Sequence, residues 1–123
     1  MNEFIFCGKI ERYINKIVHI SPEEWKRVPD SEYIAYKAHT SVTEMYFTHI
    51  DGAKFIFTVN GTDSEPSFVM IVEFDNEEGV LYKIALQNDY QKRLHIEYSD
   101  LLRKIRENQE KQFNERLNLI LSR

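Results

Sequence analysis

The sequence predicts an α+β fold. It is an antiparallel β-sheet meander of about five to six strands, with a short N-terminal helix and a long C-terminal helix packed on one sheet face. Three observations predict it. Six short, strongly apolar runs lie between Ser31 and Tyr98. Asp51-Gly52 and Glu78-Gly79 interrupt those runs with residues that favour tight turns. From Ser99 to Arg123 the apolar positions then recur with the spacing of a single helix.

Taken in order, Phe4, Phe6 and Ile10, then Tyr13, Ile14, Ile17, Val18 and Ile20, read as one or two N-terminal strands. The second run also fits a helix through Tyr13, Ile17 and Ile20, so periodicity leaves residues 12–20 open between strand and helix. Ser21-Pro22-Glu23-Glu24 is a helix start. Ser21 can accept a first-turn N–H, Pro22 sits where no donor is needed, and Glu24 completes a capping box. Trp25 and Val28 supply the apolar side, and Pro29 ends the helix after about two turns.

The meander is expected next. Tyr33 to Ala38 is a strand and Glu44 to Ile50 another, and Asp51-Gly52 turns the chain into Ala53 to Val59. A two-residue turn sets Tyr46 opposite Phe57 and Phe47 opposite Ile56. Asn60 to Pro66 is a loop. Phe68 to Phe74 is apolar on both parities, as suits a central strand buried on both faces. Asp75 to Gly79 turns into Val80 to Leu86, Asn88-Asp89 breaks the chain, and Leu94, Ile96 and Tyr98 alternate as a last short strand. Ser99 is an N-cap, with Asp100 at the positive helix end. Leu102, Ile105, Gln109, Phe113, Leu117 and Ile120 form the apolar stripe, opposite Lys104, Glu107, Lys111 and Glu115. An alternative start at Asp89 absorbs the last strand into the helix.

The 44–59 hairpin is apolar on both sides, with Tyr46, Ile50, Phe55 and Phe57 on one and Met45, Phe47 and Ile56 on the other. One C-terminal helix covers one face only. The second face needs cover from residues 1–28, or from another chain, because unclaimed apolar area marks interfaces.

The bulk composition narrows the classes of function. A chain of 123 residues fits one domain over 1–123. The single Cys7 excludes an internal disulfide and favours a reducing compartment. The start carries no basic leader and no signal-length apolar run, and nowhere do about 18 apolar residues run together. The expected setting is therefore cytoplasmic, with no membrane. A net charge of -4 speaks against nucleic-acid binding, which depends on Lys and Arg neutralising phosphates. The skew toward Ile, Lys, Asn and Glu points to an AT-rich bacterial or phage genome.

Candidate chemistry is sparse. Cys7 has no local cation or His to activate it, so it reads as a small hydrophobe. His19, His39, His49 and His95 lack the spacing of a zinc site. Asp63 and Glu65, and Asp75, Glu77 and Glu78, fall in expected turns, where acids are common. Gly8, Gly52, Gly61 and Gly79 are isolated and make no phosphate cradle. Lys92-Arg93 and Arg103-Lys104-Arg106 are interleaved with Glu107 and Glu110, as on a solvated helix. No catalytic, cofactor-binding or metal residue is assigned, and no cofactor is expected.

Three functions follow as expectations. The first is a small non-enzymatic protein that docks on another macromolecule, in the manner of a phage or mobile-element inhibitor or an immunity protein. Its protein partner would meet Met45, Phe47 and Ile56 on the sheet, or the acidic edge at Asp75, Glu77 and Glu78. The second is a small-molecule-binding or enzymatic domain with a pocket between sheet and C-terminal helix, using His39, His49, Glu73 or Tyr82. The third is a homodimeric structural subunit, joined through Met45, Phe47 and Ile56 or through the helix end from Phe113 to Leu121.

Overall fold

The computed structural model describes residues 3–6, 16–37, 42–62, 64, 66–85 and 92–122. Six strands form one sheet. They are β1 (Glu3–Phe6), β2 (Lys26–Arg27), β3 (Val42–Ile50), β4 (Ala53–Gly61), β5 (Pro66–Phe74) and β6 (Val80–Ala85), in the spatial order β1-β6-β5-β4-β3-β2. The strands from β2 to β6 pair antiparallel, while β1 joins the far edge parallel to β6. Two α-helices complete the fold, α1 (Asp30–Lys37) and α2 (Lys92–Leu121). The α+β class and the long C-terminal helix are as the sequence predicts.

The β3–β4 hairpin has the expected register, with Tyr46 opposite Phe57 and Phe47 opposite Ile56. Its turn works because Asp51 and Gly52 both adopt positive φ, 46° and 79°. Those are the values a two-residue turn needs to match the strand twist. β5 is buried on both sides. Phe68, Met70 and Val72 enter one apolar cluster, and Val69 and Ile71 enter the other.

Three expected elements differ in the structure. Tyr33–Ala38 is not a strand, because residues up to Lys37 form α1 and Ala38 lies outside the described residues. The Pro29 carbonyl accepts the Glu32 and Tyr33 N–H groups at 2.9 and 3.1 Å and starts the helix. Tyr33 and Tyr36, three residues apart, then turn to the sheet while Ile34 stays 81% exposed. The run Leu94–Tyr98 is likewise helix rather than strand, and α2 begins at Lys92. Tyr98, Leu101, Leu102 and Ile105 share a face spaced for packing on the sheet, and that burial overrides the local alternation. The Ser21–Val28 helix shrinks to a single 3₁₀ turn, Pro22–Glu24, with no side-chain cap from Ser21. The chain leaves that turn at once to pair as β2 with β3. In the open stretch 12–20, residues 16–20 take the helical form, with Ile20 N–H donating to the Ile17 carbonyl at 3.1 Å.

Both faces of the sheet are covered from within the chain, by different segments than the sequence suggests. Under α2 lies an aromatic stack. Phe57 stacks on Phe68 and on Tyr98, each with centroids 5.4 Å apart, and Trp25 meets it edge-on at 6.1 Å. Ile17, Val18 and Trp25, from the N-terminal segment, join this same cluster. The opposite cluster gathers Val28, Met45, Ile56, Val69, Ile71 and Leu81, and α1 covers it with Tyr33 and Tyr36.

Candidate docking surface

A helix of 30 residues is about 45 Å long, and the sheet supports only part of it. Tyr98, Leu101, Leu102 and Ile105 are between 0% and 5% exposed. From Glu110 to Ser122 every residue is exposed. The apolar residues do not stop where the support does. Phe113 is 60% exposed, Leu117 38%, Ile120 65% and Leu121 78%. These positions are spaced i, i+4, i+7 and i+8, the spacing of anchors that a helix lays into an apolar groove.

The base of the projecting part is clamped. The Arg106 guanidinium donates two hydrogen bonds to the Glu44 carboxylate on β3, and the Tyr46 hydroxyl donates to the same group. Burial pushes the Glu44 pKa up, but the hydrogen bonds from Arg106 and Tyr46 outweigh it and hold the carboxyl below its ordinary range. Tyr46 is driven well above the usual tyrosine value, first by burial and then by the adjoining carboxylate.

On the other face of the sheet, a polar network anchors α1. The Tyr36 hydroxyl donates to Glu73 Oε1 at 3.0 Å, and Glu73 Oε2 accepts the Gly79 N–H at 3.0 Å. Lys54 Nζ donates to Glu32 at 3.1 Å and to the Tyr36 hydroxyl at 3.2 Å. Its ammonium lies 5.0 Å from the Tyr36 ring centre and 4.7 Å from that of Phe47. Burial raises the Tyr36 pKa despite the ammonium beside it. Burial alone would lower Lys54, but its hydrogen bonds to Tyr36 and Glu32 raise it. Acid–base catalysis at neutral pH wants a tyrosine or lysine shifted toward 7, and both of these move away. The network therefore works as a fastener for α1.

The residues expected to meet a partner fall into three groups. Met45 and Ile56 are core, 2% and 0% exposed, because α1 closes over their face of the sheet. They offer no surface to a partner or to a second copy. Phe47 is half-buried and carries the Lys54 ammonium on its ring. Asp75, Glu77 and Glu78 are exposed, at the 3₁₀ turn Asp75–Glu77 and just beyond it. They do not act as one patch. His49 Nε2 lies 2.9 and 3.0 Å from the two Asp75 carboxylate oxygens, and Glu77 accepts the Tyr82 hydroxyl at 2.7 Å. Of the residues expected around a pocket, His49, Glu73 and Tyr82 are each engaged in these separate pairs. Cys7, Gly8, His39, Asp63 and Glu65 lie outside the described residues, as does the His95 side chain.

Among the described residues no three His, Cys, Asp or Glu side chains group as metal ligands, and no helix is long and apolar enough to cross a membrane. The partial exposure of α2 is the surface feature that sequence reading missed as a site. The stripe was visible in the sequence, but its loss of cover depends on how far the sheet extends. Compared with known protein families, with curated proteins and with solved structures, the chain matches none.

Proposed function

We propose that this chain is a non-enzymatic docking protein that engages another macromolecule, a protein, through the projecting end of α2. One observation carries the reading. Phe113, Leu117, Ile120 and Leu121 are exposed together on a helix that has left its own sheet. Single exposed apolar residues are ordinary, but a contiguous set on an amphipathic helix is the mark of a binding element. The acid–base groups of the sheet add support, since they are tied into fasteners whose protonation is fixed at neutral pH. The lone cysteine and the composition keep the cytoplasm of an AT-rich bacterium, or of its phage, as the setting of this proposal.

The test is capture by the tagged full chain against its Phe113→Asp variant, in lysate that also contains an untagged copy of the chain. Wild type should retain a stoichiometric protein that Phe113→Asp loses, with both giving the same circular dichroism. A partner held equally by both proteins would sink the reading.

A further inference from the structure

We propose that the occupant of the exposed α2 surface is a second copy of this chain, with the two α2 helices running antiparallel in register about residue 108. This rests on the docking reading and names its partner. The observation behind it is a second seam on the helix, distinct from the face that packs on the sheet. Starting at Ile96, which is 69% exposed, steps of three and four alternate without a break through Ser99, Arg103, Arg106, Glu110 and Phe113 to Leu117 and Ile120. That is a 3.5-residue repeat over more than three heptads, the period at which two helices stay in contact along their length. Every position on it except the half-buried Ser99 is exposed.

The order of residues along the seam sets the orientation. Its N-terminal half carries Arg103 and Arg106, and its C-terminal half carries Glu110 and the apolar side chains. A parallel pair would set each of these charges on its own copy, which is repulsive. The antiparallel pair sets Ile96 on Ile120 of the second copy, Ser99 on Leu117, Arg103 on the Phe113 ring, and Arg106 on Glu110. Each layer occurs twice by symmetry, as an isologous contact requires. Two apolar patches then flank a charged centre. Arg103 already pairs with Asp100 and Glu107, and Arg106 with Glu44, but each guanidinium has donors and ring-facing area beyond those bonds.

Length also favours the full seam over a contact between helix tips. From Ile96 to Ile120 the helix runs for roughly 36 Å. Contact over that distance reaches the scale of about 1,200 Å² where specific interfaces begin. Overlap of Phe113–Leu121 alone spans roughly 12 Å and falls well short.

Sedimentation equilibrium of the full chain at micromolar concentration tests the assignment. The expected species has twice the 14.7 kDa chain mass. Glu110→Arg faces Arg106 of the second copy twice and should weaken the dimer by roughly tenfold or more. Leu117→Glu should weaken it by about a hundredfold or more with unchanged circular dichroism, because Leu117 does not touch the sheet core. Orientation is read in a Cys7→Ser background by oxidising a mixture of Ser99→Cys and Leu117→Cys chains. The mixed cross-link should dominate. A monomer throughout the range, a dimer indifferent to both Glu110→Arg and Leu117→Glu, or a Ser99→Cys chain that links to itself would each overturn the assignment. A monomer that still loses a captured protein on Phe113→Asp overturns the second copy alone and leaves docking intact.

Discussion

The two halves of α2 share one amphipathic pattern and differ in what they meet. In the first half, Tyr98, Leu101, Leu102 and Ile105 stand over the sheet and are almost wholly buried. In the second, Phe113, Leu117 and Ile120 continue a similar spacing into solvent. Propensity and periodicity therefore account for the helix as an object, while burial accounts for which part of it stabilises the fold. Its apolar residues have separate tasks on either side of the Arg106–Glu44 clamp.

Substitution should separate the halves most sharply. Ile105→Ala opens a cavity at a site 0% exposed and should cost about 2–5 kcal/mol in chemical denaturation. Leu119→Ala, at a position 68% exposed, should stay within about 0.5 kcal/mol. Equal losses would mean that the projecting half is packed after all.

Tyr98→Phe should act in the opposite direction. The Tyr98 hydroxyl is buried without a hydrogen-bond partner, as are Trp25 Nε1 and Glu97 Oε2. Removing an unsatisfied buried group recovers its desolvation cost, so the variant should gain up to about 1 kcal/mol. A loss would show that the hydroxyl has a partner in solution.

Arg106→Ala removes the clamp and should cost about 0.5–1 kcal/mol, since both partners are partly exposed and solvent screens the pair. Its pH dependence is diagnostic. The Glu44 pKa is lowered by folding, so its contribution is present above the ordinary glutamate value of about 4.3 and fades as pH falls through the folded value. Arg106→Ala should therefore flatten the acid limb of the melting-temperature profile below about pH 4.3. An unchanged limb would move the acid sensitivity elsewhere.

The α1 fastener gives the smallest signal, at the alkaline end. Tyr36 and Lys54 have pKa values raised by folding, so their contribution is intact below the ordinary tyrosine value of about 10 and declines as pH rises past it. Tyr36→Phe should remove part of that decline, read by thermal melts at rising pH.

Much of the fold was legible in the sequence where local chemistry and tertiary packing agree. Asp51-Gly52 fixed a register that the paired strands then keep, and the two-sided apolar run of β5 announced a central strand. It was illegible where packing chose between equal local options. Tyr33 and Tyr36 suit a strand or a helix alike, and only a bare sheet face, together with Pro29 at the helix start, selects the helix. That single misreading left Met45 and Ile56 looking like surface. The docking surface was half legible, since the stripe to Ile120 is periodic but the edge of its cover belongs to the sheet.

The position of α2 at the end of the sequence also shapes how the chain is born. A ribosome delivers the sheet strands first and the residues that cap Phe57 and Phe68 last. Until Ile105 has left the exit tunnel, one side of a finished sheet stays wet, with aromatic rings open to any neighbour. A chain released after residue 97 should therefore be sticky and a target for proteases. Synthesis paused just downstream of the helix would leave the time needed for it to close.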